Sequence, residues 1–137
     1  MTTAIAHPNI ALVKYWGKQN HVLNYPASPS LSITLDSLIT KTKVSASTET
    51  RLLLNGKRNE DLKVAKFLDL FREKFELPPV SVETDNNFPT GAGLASSASG
   101  FAALVTALNE NFQLGLSLSS LSEWARRGSA SAARSLF

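Results

Sequence analysis

The apolar pattern of this 137-residue chain changes period part-way along, and that change limits the possible folds more than any other feature. Leu31, Ile33 and Leu35 alternate with Ser32 and Thr34, the two-residue repeat of a strand, and a second extended run continues from Leu38 to Val44. Asn55-Gly56, just after Leu52-Leu53-Leu54, is a hairpin-turn signal, while the prolines and small polar residues of 24–30 argue for a loop. Beyond residue 60 the spacing becomes helical. Val64, Leu68, Phe71 and Phe75 stand four, three and four apart, predicting an amphipathic helix over about 60–76 that Leu77-Pro78-Pro79 ends. Val80 to Thr84 alternates as one more strand, and Asp85 to Pro89 reads as a turn-rich connection. A second helix follows from about Ser97, with Ala98, Phe101, Val105, Leu108 and Phe112 at helical spacing. A third is expected from near Ser120, where Ser120-Leu121-Ser122-Glu123 fits a capping box, to about Arg127. Strands first, then strand and helices mixed, predict one α+β domain with a mostly antiparallel sheet covered by helices on one face.

Composition narrows the function classes. With 43% hydrophobic and 18% charged residues the chain can hold a core of its own, and the absence of cysteine excludes disulfides, zinc-finger ligation and a catalytic thiol. No apolar run reaches the roughly 18–20 residues needed to span a bilayer, and the first residues lack a basic start followed by an apolar stretch, so the expected location is the cytoplasm. Fourteen Lys and Arg against eleven Asp and Glu give a net charge of +3. The basic clusters Lys41-Thr42-Lys43, Lys57-Arg58 and Arg126-Arg127 are short and separated by acidic residues, which favours a solvated surface over a stripe for nucleic acid. His7 and His21 lack partners at metal-ligand spacing, and Trp16 and Trp124 read as packing residues.

The segment from Phe88 to Gly100 carries the chemistry. Gly91 and Gly93, small residues and Ser96, Ser97 and Ser99 stand between a strand and an apolar-striped helix. Such a loop lays backbone N–H groups against an anion, and the helix N-terminus adds roughly half a positive charge. It has neither the Gly-Lys-Ser/Thr of a Walker A loop nor the Gly-x-Gly-x-x-Gly of a dinucleotide fold.

Pro89-Thr90-Gly91-Ala92-Gly93-Leu94-Ala95-Ser96-Ser97-Ala98 resembles the phosphate loop of the GHMP superfamily of small-molecule kinases. Two more segments narrow the resemblance to the diphosphomevalonate decarboxylase family. Pro8 to Lys18, with its Lys14-Tyr15-Trp16-Gly17-Lys18 run, is similar to the family's N-terminal signature, and Ala125 to Ser135 to its substrate-binding segment. The resemblance implies the GHMP N-terminal architecture, shared with a ribosomal protein domain, and ATP-dependent conversion of mevalonate diphosphate to isopentenyl diphosphate with Mg²⁺. It also implies a homodimer for the full-length enzyme, and neither nucleic acid nor membrane as a partner.

The resemblance assigns roles residue by residue. Arg134 would hold the substrate carboxylate, for which a guanidinium is suited by its paired donors. Lys14 would sit near the reacting hydroxyl. Tyr15, Lys18, Ser129 and Ser131 would contact the diphosphate, and Asn9 would orient the substrate. Pro89, Gly91, Ala92, Gly93, Leu94, Ala95, Ser96, Ser97 and Ser99 would form the nucleotide phosphate site, with Ser97 a candidate for Mg²⁺. Spacing does not settle which of Ser96 and Ser97 faces which phosphate, and Asn86 and Asn87 suit either a nucleotide brace or a turn.

The family's general base is an aspartate in its C-terminal half, and none of the eleven acidic residues here stands in a comparable motif. Residues 1–137 are therefore expected to be the N-terminal ATP- and substrate-binding domain, incomplete at its C-terminus and lacking the second domain. The alternatives are a mevalonate phosphate decarboxylase, a mevalonate kinase, or a nucleic-acid-binding module. The isolated 137-residue polypeptide is expected to show no decarboxylase turnover; release of CO₂ above that of an Arg134→Ala control would contradict this.

Overall fold

The computed structural model describes residues 1–13, 17–89 and 96–137. Its elements run β1 (Thr2–Ala6), β2 (Asn9–Val13), β3 (Lys18–Asn20), β4 (Tyr25–Pro26), β5 (Leu31–Thr34), β6 (Thr40–Ala46), β7 (Arg51–Leu54), β8 (Lys57–Arg58), α1 (Leu62–Phe75), β9 (Val80–Asn86), α2 (Ser96–Asn111), α3 (Leu118–Gly128) and a 3₁₀ turn (Ala132–Leu136).

The main sheet has the order β1-β6-β9-β7-β8. All its pairings are antiparallel except β7 with β9, where β8 and α1 form the crossover that a parallel pair requires. Alternation decides its faces. Ala4, Ala6, Thr40, Thr42, Val44, Val80 and Val82 are buried, whereas Ile5, Lys41, Glu83 and Asp85 are exposed. The helices cover the buried face, as the sequence predicts for an α+β fold, and α2 lies along β1 and β6. Asn55 and Gly56 form the two-residue turn between β7 and β8, with φ of 49° and 76°, the left-handed pair that Asn-Gly accommodates at low cost.

The predicted first helix is α1. The Asp61 carboxylate accepts from the backbone N–H of Lys63 at 2.8 Å and of Val64 at 3.2 Å, and Glu76 closes the helix in a left-handed conformation. Its apolar stripe meets α2 and α3 in an aromatic cluster. Phe71 and Trp124 stand 4.9 Å apart edge to face, and Phe67 and Phe101 5.1 Å apart. Each such pair adds about 0.5–1.5 kcal/mol beyond area burial.

One expectation needs correction. The third helix starts earlier than the Ser120 capping box implies: Ser117 is the N-cap, its hydroxyl accepting from Ser120 N–H at 3.2 Å. Serine at both positions makes either a plausible cap, and the Leu121 N–H bond to the Ser117 carbonyl at 2.9 Å marks the longer helix. The two extended runs, Leu31–Thr34 and Thr40–Ala46, join different sheets. β5 joins β2 in a separate ribbon, where Ile10 lies opposite Ile33 and Val13 opposite Leu31. A bulge between Ala11 and Val13 brings Val13 to the Ile10 face. That face remains open, with Leu31 59% and Ile33 51% exposed.

A close approach in the core joins α2 and α3. Gly128 lies so near the Phe101 ring that a Cβ there would overlap it, and the ring cannot swing away because it packs against Phe67. Gly128→Ala is expected to destabilise the fold by about 1–3 kcal/mol, the usual cost of overpacking. Urea unfolding should show a lower midpoint with an unchanged slope; an unmoved midpoint would mean that the contact is loose.

Candidate functional site

Three elements meet where α2 begins. Ser97, exposed in the first turn of α2, lies with its hydroxyl 3.3 Å from that of Ser129, the residue that closes α3. Ser129 in turn is 3.3 Å from the hydroxyl of Ser131, before the 3₁₀ turn. The first turn of α2 contains no carboxylate, so nothing cancels the partial positive charge of its N-terminus. Asn9, buried at the start of β2, donates to the Ser131 carbonyl at 3.1 Å and to the Ser135 hydroxyl at 2.8 Å. This amide ties the N-terminal ribbon to the turn carrying Arg134.

Arg134 is half-buried rather than splayed on the surface. One terminal nitrogen donates to the Ser30 hydroxyl, and its buried Nε has no hydrogen-bond partner among the described residues. A buried donor left unpaired costs about 1–3 kcal/mol, a cost that an anionic ligand would remove. Lys18 stands on the β3–β4 hairpin. Its ammonium donates to Asn24 Oδ1 at 2.7 Å, and Asn24 Nδ2 donates to the Arg126 carbonyl at 2.9 Å and the Arg127 carbonyl at 3.3 Å. Lys18 and Arg134 thus both hang from the C-terminal end of α3, one through Asn24 and the other through the turn that follows. The ion pairs Lys43–Glu83, Arg58–Glu60 and Arg72–Asp69 use none of these cations.

A cleft of about 170 Å³ opens on the opposite flank of the α2 N-terminus. Leu52, Leu54, Val64, Val82, Phe101 and Leu104 form its apolar walls; Asn59, Asp61, Lys63, Thr84, Asn86, Ser96 and Ser97 supply polar groups. Ser97 therefore stands at the junction, lining the cleft and reaching the serine row. The geometry suits an elongated ligand with an apolar-faced end in the cleft and anionic groups across the helix N-terminus.

Of the predicted site residues, the structure gathers Asn9, Ser97, Ser129, Ser131 and Arg134, and brings Lys18 to the same end of α3 on its hairpin. Ser96 is half-buried beside Ser97, and Pro89 is exposed at the loop entrance. Lys14, Tyr15, Gly91, Ala92, Gly93, Leu94 and Ala95 lie outside the described residues, as does Trp16. Ser99, expected in the phosphate site, is fully buried, its hydroxyl 2.6 Å from that of Thr40 and donating to the Ser96 carbonyl at 3.3 Å, so it ties α2 to β6. Two residues on a helix differ by about 200° in direction, so an exposed Ser97 forces Ser99 inward.

The alternatives left open for Asn86 and Asn87 separate. Asn87 spends its amide in a turn, accepting from Ile39 N–H at 2.8 Å and donating to the Ser37 carbonyl at 3.1 Å. Asn86 lines the cleft and accepts from the Thr40 hydroxyl at 2.6 Å. Trp124 packs in the core as expected, and His7 has Nδ1 3.0 Å from the Leu38 carbonyl. No group of three metal-ligating side chains occurs among the described residues. Ser30 and Asn24 were not legible as site residues, because the Ser30 partner lies 104 positions away and the carbonyls that Asn24 holds lie 102 and 103 away.

Comparison with known proteins agrees with this fold. Residues 6–137 match the model of the diphosphomevalonate decarboxylase-like N-terminal domain. Diphosphomevalonate decarboxylase of Debaryomyces hansenii is 44% identical over 157 residues, covering 99% of this chain and 40% of that protein. The Candida albicans enzyme is 45% identical, covering 94% and 41%. Among solved structures, mevalonate diphosphate decarboxylase from Enterococcus faecalis superposes with a TM-score of 0.91 at 47% identity, covering 98% of this chain and 44% of that one. A further structure, of MDDEF in complex with MVAPP, AMPPCP and magnesium, has a TM-score of 0.90 at 47% identity, over 98% of this chain and 43% of that one. The chain thus spans about 40% of the length of the curated relatives it matches. Matched along nearly all its residues, with the α+β fold of the GHMP kinase N-terminal domain, the chain belongs to the diphosphomevalonate decarboxylase-like N-terminal domain family.

Proposed function

We propose that this chain is the ATP- and substrate-binding domain of a diphosphomevalonate decarboxylase, a carboxy-lyase of the mevalonate route to isoprenoids. The reaction phosphorylates the 3-hydroxyl of mevalonate diphosphate with the terminal phosphoryl of ATP. Phosphate then departs with the C–O electron pair, and the electron pair of the C–carboxylate bond closes the new double bond as CO₂ leaves. Products are isopentenyl diphosphate, ADP, phosphate and CO₂.

The observation that carries this reading is Arg134, half-buried with an unpaired buried Nε, beside a row of serines and away from every ion pair described. Its guanidinium holds the substrate carboxylate in the orientation from which CO₂ departs. Ser129, Ser131 and Lys18 hold the diphosphate, Tyr15 joins them, and Asn9 keeps the Ser131 segment in place. Lys14 lies beside the reacting hydroxyl. The loop of Pro89 and Gly91 to Ala95, with Ser96 and Ser97, receives the ATP phosphates, while the cleft that Asn86 lines receives the nucleoside. Ser97 has an exposed hydroxyl at a helix N-terminus lacking carboxylates, which fits a metal already carried by ATP phosphates rather than a protein-only cage. Bound there, Mg²⁺ would supply charge neutralisation for the transferring phosphoryl. The same reading makes the family-length protein a cytoplasmic homodimer. No helix among the described residues is long and apolar enough to cross a membrane.

The test uses the family-length polypeptide with mevalonate, its phosphate and its diphosphate, following ADP and CO₂ together. The diphosphate alone should yield both products. Arg134→Gln should lower turnover by about 10²–10³-fold, as for removal of one charge-stabilising donor. Ser97→Ala should weaken ATP binding, whereas Ser99→Ala should leave it within about twofold and lower stability by about 1 kcal/mol. ADP formation from mevalonate without CO₂ would overturn the assignment in favour of a kinase.

A further inference from the structure

Lys18 stands on an element with few contacts among the described residues. The β3–β4 hairpin pairs only through Lys18 with Pro26 and Asn20 with Tyr25, and every residue of β3 is exposed. A two-stranded ribbon of this size is not stable on its own in water. What fastens it is a set of contacts to the last turn of α3. Arg126 donates from Nε to the Leu23 carbonyl at 3.0 Å, and its guanidinium lies 4.0 Å over the Tyr25 ring. Asn24 makes the remaining contacts, with its backbone in the left-handed region at φ 54°.

The chemistry around Asn24 admits one orientation of its amide. Two of its neighbours, the Arg126 and Arg127 carbonyls, only accept, and they belong to the helix end where carbonyls lack partners within the helix. The third, the Lys18 ammonium, only donates. The NH₂ must therefore face α3 and the oxygen must face Lys18. No other side chain of this size supplies both, since aspartate would turn an oxygen on the two carbonyls and leucine would satisfy neither side.

We propose that Asn24 is a positioning residue for the substrate diphosphate: it anchors the hairpin to the α3 terminus and aims the Lys18 ammonium at the site beside Ser129. This rests on the reading that Lys18 binds the diphosphate. Asn24 touches no ligand itself, so its effect passes entirely through Lys18 and belongs to ground-state binding of the diphosphate rather than to the chemical steps.

The test is a double-mutant cycle in the family-length polypeptide, with KM and kcat measured for mevalonate diphosphate and for ATP. Asn24→Gly removes the amide and tolerates the positive φ. It should raise KM for mevalonate diphosphate by about 5–10-fold, leaving kcat and the KM for ATP within about twofold, the pattern of lost uniform binding. Lys18→Ala should raise the same KM at least as far, and the double variant should be no worse than Lys18→Ala alone, because coupled residues do not add. Asn24→Asp, nearly isosteric, should also raise KM. It keeps the hairpin's volume should glycine loosen the fold, and circular dichroism reports whether each variant is folded. If Lys18→Ala impairs binding while Asn24→Gly and Asn24→Asp do not, or if the effects multiply in the double variant, the role of Asn24 is overturned and the reading of Lys18 stands. A Lys18→Ala variant with unchanged KM overturns both.

Discussion

The contact between the Phe101 ring and the bare backbone of Gly128 sets the geometry on which the site depends. Phe101 stands one helical turn after Ser97 on α2, and Gly128 immediately precedes Ser129. Bringing the two helices together at that point places the hydroxyls of Ser97 and Ser129 at 3.3 Å. Trp124, one turn before Gly128, locks the same helix end to Phe71 in the aromatic cluster. Core packing and hydroxyl alignment are thus consecutive turns of one seam. A side chain at position 128 would separate the helices where the polar row needs them close.

Charge is distributed to suit an anionic ligand rather than to stabilise the chain. Each described ion pair has at least one well-exposed partner, and such pairs contribute about 0–1 kcal/mol. Lys18 and Arg134 donate to neutral oxygens instead, of Asn24 and Ser30, and the buried Arg134 Nε has no partner among the described residues. Neutral partners orient a cation without cancelling its charge. The net charge of +3 is a poor guide to this, because it averages over Lys41, Lys57 and other exposed groups far from the serine row.

The sequence made the local features legible and left the long-range ones hidden. The Val64–Leu68–Phe71–Phe75 spacing and the Asn55-Gly56 pair act over a few residues, and the structure has the helix and the turn they predict. The candidate serines were visible as a group, yet their division was not. Helical rotation sends Ser97 toward solvent and Ser99 toward Thr40, and a motif read as a string gives both the same weight. Asn24 and Ser30 fall in a stretch whose prolines and small residues announce only a loop. Their meaning comes from carbonyls and a guanidinium more than a hundred positions away. Ile33 and Leu31 show a different limit: alternation predicts a strand with an apolar face without saying what covers it, and among the described residues that face is open.

In the proposed reaction the same electrostatics explain why this domain lacks a catalytic carboxylate within its cationic cradle. A carboxylate placed among Arg134, Lys18 and the α2 N-terminus would pair with one of them in a partly buried setting, where the attraction is several times that in water. It would occupy the donors intended for the substrate and lose its basicity, because a neighbouring cation favours the charged form of an acid. A cradle for a carboxylate and a diphosphate has to be built from cations and neutral donors. The group that takes the proton from the 3-hydroxyl must then approach from outside, with the substrate between it and the cations. Asp36, Glu83 and Asp85 are exposed on the sheet or beside it, and Asp61, which lines the cleft, spends its carboxylate capping α1.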